Sequence, residues 1–298
     1  MNYLKQNYLK ILVLGLFLLT GLFLSNESLV KKARNLNKGV KDKLELIYVL
    51  NWQAKDVNLE KSDLKLPRLI AHASGGVGGM KYTNSLEGLN ESYKNGFRFI
   101  EMDLSWTSDG ELVALHGWES EIEGLFNQEK GVRTLEEFKN FEMVGDLTQM
   151  SMDDVAKWFE NHGDVYLITD IKEDNAKALE KIINDYPELQ SRIIPQIYFF
   201  KEYKYLVDLG YDKIMLMLHR ANYHHDLVKD FIMEKEIFAI SLPTNQFGQE
   251  GDLIKKAGEL GIPVFTHTIN NREEVIKFEN VGIYGVYTDF LINIIDKN

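Results

Sequence analysis

A chain of 298 residues with 45% hydrophobic and 27% charged side chains has the make-up of a globular protein, not of a disordered one. Its net charge of −11 argues against a general nucleic-acid or anionic-membrane surface, and beyond the stretch Lys31 to Lys43 there is no basic block. The absence of cysteine excludes disulfides and thiolate metal sites and leaves the redox compartment open.

The first element in chain order is the uncharged apolar run ILVLGLFLLTGLFL, Ile11 to Leu24, preceded by Lys5 and Lys10. It is shorter than the roughly 20 residues of a comfortable spanning helix and has the character of a signal peptide's apolar core. No small-x-small cleavage site follows it, so residues 1–30 are expected to be an uncleaved signal anchor, with a cleaved signal as the alternative. A buried helix would need polar positions that this run lacks. The basic residues after the run outnumber the lysines before it, which argues against export by the positive-inside rule. The short, signal-like N-terminus argues for export. The expectation is a membrane-anchored protein with its catalytic domain outside the cytoplasm, or else a secreted one. Residues 31–66 read as a basic linker leading into an amphipathic helix, KDKLELIYVLNWQ.

From Arg68 onward, short apolar runs alternate with longer amphipathic stretches. The strand candidates are RLIAH, RFIEMD, VYLITDIK, IIPQIY, KIMLML, FAISL, PVFTHT and GVYTD. A ninth, ELVALH from Glu111, follows the second across a tight turn and reads as a hairpin addition. Among the helical stretches, NSLEGLNESYKNG places Leu86, Leu89 and Tyr93 on one face, and MSMDDVAKWFENHG has Ser151 as a cap. Eight strand–helix alternations predict an α/β fold, a closed (β/α)8 TIM barrel over residues 67–298 with a small hairpin insertion after its second strand.

Chemistry is concentrated at the strand ends. Glu101 and Asp103 share a strand face, as do Asp170 and Lys172, and each pair lies at the C-terminal end of its strand, where a barrel carries its active site. His72 ends the first strand and His116 the hairpin strand. Like charges on one face repel unless a cation compensates them. Glu101, Asp103 and Asp170 form an all-oxygen set suited to one hard divalent cation, Mg2+ or Ca2+. The two histidines suit proton transfer, and Lys172 supplies a fixed positive charge for an anionic substrate. Plainer readings exist for each. Alternating carboxylates also suit a solvated strand face, although a parallel barrel strand has none. His72 could be a satisfied core histidine and His116 a loop residue. His219 and His267 also end strands, and the pair His224–His225 fits a helix surface.

These segments together resemble the glycerophosphodiester phosphodiesterase family, within the wider group of barrel phosphodiesterases that includes phosphatidylinositol phospholipase C. IAH stands where the family has His-Arg-Gly, and YTNSLEGL where it has Glu-Asn-Thr. IEMDLSWTSDGELVALHGWE follows the Glu-x-Asp, Thr-x-Asp-Gly and second-histidine pattern, and YLITDIK follows Glu-x-Lys. FTHTINNREEV and GVYTDF are similar to the closing Trp-Thr-x-Asn and Thr-Asp segments. The resemblance implies a metal-dependent phosphodiesterase acting on glycerol-, lipid- or glycan-linked diesters. In it His72 and His116 would be the acid–base pair and Glu101, Asp103 and Asp170 the metal ligands. Lys172 and Asn84 would lie at the substrate. Three departures stand out: Ala73 in place of arginine, Thr83 in place of glutamate, and Asp170 in place of glutamate. Some of these features, with Gly117 after His116, look more like sphingomyelinase D-type phospholipases, which form one alternative. A non-catalytic barrel that binds a phosphorylated glycan or lipid is the other. Trp106 and Trp118, beside the metal strand and His116, are expected to contact the substrate, in particular a cationic head group.

Overall fold

The computed structural model describes residues 38–52, 64–221, 223–246 and 251–292. The expected membrane segment lies outside these residues. Among the described residues, no helix is long and apolar enough to cross a membrane.

The described residues begin with helix α1 (Lys38–Asn51), and strand β1 (Leu69–Ala71) comes next. Helix α2 (Leu86–Lys94), β2 (Phe99–Trp106) and β3 (Leu112–Ala114) follow. Two short helices, α3 (Ile122–Phe126) and α4 (Leu135–Lys139), precede α5 (Met152–Glu160) and β4 (Tyr166–Ile171). Next come α6 (Asn175–Asp185), β5 (Ile193–Ile197), α7 (Phe200–Asp208) and β6 (Met215–Met217). Helix α8 (His225–Glu234), β7 (Ala239–Pro243), α9 (Gly251–Glu259) and β8 (Val264–His267) continue the alternation. Helix α10 (Arg272–Glu279) and β9 (Gly285–Thr288) complete it.

Eight of the strands are parallel and close into a barrel in the order β1-β9-β8-β7-β6-β5-β4-β2, with β1 pairing back onto β2 through Ala71 and Ile100. The ninth, β3, is antiparallel to β2, with Trp106 opposite Leu112 and Leu104 opposite Ala114. Strand β2 therefore overshoots the mouth, the C-terminal end of the barrel, and folds back to deliver His116 to the rim. The turn is closed by the Thr107 N–H donating to the Glu111 carbonyl at 2.8 Å.

The pleat explains how the site is built. At the base of the barrel interior, Ile70, Phe99, Ile168, Ile194, Met215, Ala239, Phe265 and Tyr287 form one buried apolar cluster. Alternate residues of a strand face the same side. Two positions further along these strands stand His72, Glu101, Asp170, Gln196, Met217, Ser241, His267 and Asp289. The apolar ring thus closes the floor beneath a polar ring at the mouth.

Helix starts are specified locally. Ser85 caps α2 by accepting the Gly88 N–H at 3.1 Å, and Ser151 with Asp154 forms a capping box on α5. A Cβ on Gly88 would lie 2.4 Å from Ser74 Oγ, so a glycine lets α2 approach the loop after β1. Helix α1 is the amphipathic helix expected from KDKLELIYVLNWQ. It packs Leu46 and Val49 into the outer core against α7 and α8.

Candidate active site

Glu101, Asp103 and Asp170 each offer a carboxylate oxygen, and these atoms lie within 4.8 Å of one another. Glu101 and Asp103 are 2% exposed. The register places Asp103 directly opposite Asp170 across the β2–β4 ladder. Partners hold each group in place. The Ala73 N–H donates to Glu101 Oε2 at 2.7 Å, while Glu101 Oε1 is buried and makes no hydrogen bond. Asn84 is bidentate to the next strand residue: its Nδ2 donates to Asp103 Oδ2 and its Oδ1 accepts the Asp103 N–H, both at 3.0 Å. The Tyr198 hydroxyl donates to Asp170 Oδ1. Lys172 Nζ lies 2.9 Å from Asp103 Oδ1 and 3.4 Å from Asp170 Oδ2.

The electrostatics follow from this crowding. Burial, then the charges of Asp103 and Asp170, push the Glu101 carboxyl well above the usual range. Asp103 moves the other way: burial opposes its ionisation, but Lys172, both histidines and the Asn84 hydrogen bond outweigh it and hold the carboxyl low. Lys172 stays firmly protonated because the carboxylates around it outweigh the cost of its burial.

Each rim histidine is tied through Nδ1 to a carboxylate. His72 Nδ1 lies 2.8 Å from Asp289 Oδ1, and Asn270 Nδ2 donates to the other oxygen of Asp289 at 2.7 Å. His116 Nδ1 lies 3.0 Å from Glu121 Oε2. With an ionised carboxylate as partner, Nδ1 carries the proton and Nε2 is left for chemistry. Burial pulls His116 down, yet the Glu121 hydrogen bond and the Asp103 charge raise its pKa overall. The Tyr82 ring touches both imidazoles, with centroids 4.8 Å from His72 and 5.0 Å from His116.

The loop after β1 is bent sharply to serve this site. Ala73 and Ser74 adopt φ of 48° and 67°, which is unfavourable for non-glycine residues. The bend aims the Ala73 N–H at Glu101, while the Ala73 methyl is fully buried.

Of the two tryptophans expected at the substrate, Trp118 is corrected. Trp118 is 7% exposed, packs edge-on to Phe138 in an apolar cluster and donates its indole N–H to the Trp106 carbonyl at 2.8 Å. It supports the hairpin from behind and has no open face to offer a head group. Trp106 donates to the Glu173 carbonyl at 3.0 Å, and Lys177 already lies 5.1 Å from its ring centroid. Lys172 is directed at the carboxylates it was expected to stand beside. His219 and His267 sit further round the mouth, 5.3 Å apart, with His267 Nδ1 3.0 Å from Ser241 Oγ. Burial lowers both pKa values, that of His267 to about 3, so both are neutral imidazoles at neutral pH. His224 and His225 begin α8, away from the carboxylates.

The residues that sequence reasoning left without a role are Tyr82, Glu121, Tyr198, Asn270 and Asp289. Of these, Asn270 and Asp289 fall within the closing segments FTHTINN and GVYTDF, which gave a signal. Tyr82 opens the segment YTNSLEGL and Tyr198 ends the strand candidate IIPQIY, so each had a positional signal; Glu121 gave none.

A closed parallel barrel with carboxylates and histidines gathered at the C-terminal ends of its strands is the architecture of a TIM-barrel enzyme. Residues 76–293 match the family model described as the glycerophosphoryl diester phosphodiesterase family, and the chain belongs to that family of phosphodiester-hydrolysing enzymes. A glycerophosphodiester phosphodiesterase of Caldanaerobacter subterraneus subsp. tengcongensis is 24% identical over 232 residues, covering 72% of this chain and 92% of the relative. Among solved structures, a glycerophosphodiester phosphodiesterase from Thermotoga maritima aligns with a TM-score of 0.61 at 19% identity, covering 76% of this chain and 96% of the other. An Oleispira antarctica phosphodiesterase, solved with the product sn-glycerol-3-phosphate, aligns with a TM-score of 0.59 at 16% identity, covering 76% and 94%. At these identities the two structures bear on the fold alone.

Proposed function

We propose that this enzyme is a divalent-cation-dependent hydrolase of glycerophosphodiesters or related lipid- or glycan-linked diesters, working by acid–base transfer between His72 and His116. The observation that carries this reading is the carboxylate trio Glu101, Asp103 and Asp170, the first two buried and one Glu101 oxygen left unpartnered, on the same rim as two carboxylate-anchored histidines. Burying like charges costs several kcal/mol per ion unless they are compensated. Lys172 supplies +1 against three carboxylates. An all-oxygen set with an orphaned oxygen fits Mg2+ or Ca2+, held by Glu101, Asp103 and Asp170. When bound, the ion would act as a Lewis acid on the phosphoryl group.

The chain's own residues do the rest. Asp289 keeps the His72 proton on Nδ1, so Nε2 is free to take a proton from the attacking hydroxyl. Glu121 and Asp103 favour the protonated form of His116, which suits it to protonate the leaving oxygen. Asn84 fixes Asp103, and the Ala73 N–H fixes Glu101. Membership of the glycerophosphoryl diester phosphodiesterase family supports a glycerol-linked diester as the first substrate to try. The apolar run Ile11–Leu24 supports a membrane-tethered enzyme.

The test is hydrolysis of a panel of glycerophosphodiesters and lysolipids by protein stripped with chelator and then resupplied with Mg2+ or Ca2+. Turnover lost on stripping and restored by one of the ions is expected. Full turnover by metal-stripped protein would refute the cation requirement.

A further inference from the structure

We propose that Arg220 binds the phosphoryl oxygens of the substrate from the β4–β6 side of the mouth; the proposal rests on reading this mouth as a phosphodiesterase site. Arg220 lies just beyond β6, and its side chain reaches back across two strands. Its guanidinium carbon is 5.0 Å from the centre of the Tyr198 ring, just past β5. Its Nη1 donates to the Lys172 carbonyl, just past β4, at 2.6 Å. The Tyr198 hydroxyl in turn donates to Asp170, and Lys172 Nζ is 3.4 Å from the same carboxylate. The guanidinium is thus held against the one tyrosine that touches the third member of the carboxylate trio. His219 packs edge-on against the same ring at 5.2 Å. Burial first, and then the charges of Lys172 and Arg220, lower its pKa in spite of Asp170, as a positive flank requires.

Charge assigns the role. The carboxylates at this mouth are Glu101, Asp103 and Asp170, with Asp289 and Glu121 tied to the histidines. The other cations among them are already engaged. Lys172 is shared by Asp103 and Asp170, and Lys81 Nζ lies 3.8 Å from Asp289 Oδ2. The divalent ion proposed above would be held by the trio. A diester brings a further negative charge to this crowd. On the loop after β1, where the resemblance places arginine, the chain has Ala73 with its methyl buried. Arg220 differs from the engaged cations. Among the described residues it has no carboxylate partner; a carbonyl and an aromatic ring position it and leave its charge uncompensated. It is exposed, so an incoming anion can reach it. A guanidinium carries five N–H donors, and its planar fork matches a pair of phosphate oxygens.

The test uses Arg220→Gln and Arg220→Lys in full-length protein resupplied with Mg2+ or Ca2+. Two quantities are measured: hydrolysis of glycerophosphodiesters, and calorimetric binding of inorganic phosphate. Arg220→Gln should lower kcat/KM by about 10- to 100-fold, the range of a charge-assisted hydrogen bond. Phosphate affinity should fall about 10-fold or more by the same reasoning. Arg220→Lys should lie between the two proteins, because it keeps the charge and loses the fork. Added guanidinium ion should restore part of the turnover of Arg220→Gln, and the unfolding midpoints should match the wild type. Unchanged kcat/KM and unchanged phosphate affinity in Arg220→Gln would overturn the proposal. A fall in kcat/KM with phosphate affinity intact and no rescue by guanidinium would also overturn it, marking Arg220 as a support for Tyr198. Wild-type protein that hydrolyses no diester, yet binds phosphate more tightly than Arg220→Gln, would overturn the proposed function and leave the anion site standing.

Discussion

The base and the mouth of this barrel are lined by the same strands, one pleat apart, and they solve opposite problems. Phe99 and Glu101, Ile168 and Asp170, Ile70 and His72, and Tyr287 and Asp289 are successive inward positions. The lower member of each pair buries apolar surface, and the upper member brings a titratable group to the edge of the same core. The floor keeps water from reaching the carboxylates from below, so their mutual repulsion is felt at low dielectric. Stability therefore resides in one ring and chemistry in the next, with repulsion in the upper ring borne by packing in the lower.

That division can be broken from either side. The largest stability effect belongs to the floor. Phe265→Ala removes a fully buried ring and should cost about 3–5 kcal/mol, measured by denaturant unfolding. The folded fraction should keep its cation affinity. At the mouth the pattern reverses. His72→Ala and His116→Ala should each lower kcat by about 100-fold or more, with little change in unfolding midpoint. A large loss of stability with kcat unchanged would instead mark those histidines as structural.

A third prediction sharpens the cost of the mouth. Glu101 has its folded pKa raised by burial and by its acidic neighbours. A raised carboxyl pKa contributes stability that is fully present below the unfolded value of about 4.3 and is lost as pH rises towards the folded value. Metal-free protein should therefore lose stability relative to Glu101→Gln as pH rises from about 4.3. Parallel unfolding curves for the two proteins across pH would contradict the crowding. The smallest expected effect concerns Glu121. Glu121→Gln should lower the His116 pKa and move the alkaline limb of the kcat/KM profile to lower pH, leaving the acid limb in place.

The two rings were unequally legible in the sequence. All eight barrel strands and the hairpin could be located, because each apolar run is bounded by turn residues and separated by amphipathic stretches. The Glu101–Asp103 face followed from the two-residue period alone. What the sequence hid were pairings that only closure of the barrel creates. Asp289 meets His72 across a separation of 217 positions, and Tyr198 meets Asp170 from the neighbouring strand. Trp118 shows a second limit. Its position two residues after His116 suggested the mouth, yet the direction in which a loop side chain leaves the backbone is set by its neighbours, and Phe138 draws it into the apolar cluster. Lys172 shows a third: its spacing placed it at the site, but spacing alone did not indicate that it would bridge Asp103 and Asp170.

The account depends most on the cation that would offset the carboxylates, and calorimetric titration with Mg2+ and Ca2+ tests it directly. Wild-type protein should bind one ion, and Glu101→Gln and Asp103→Asn should bind none while remaining folded. Unchanged affinity in both variants would contradict the assignment of Glu101, Asp103 and Asp170 as the metal site.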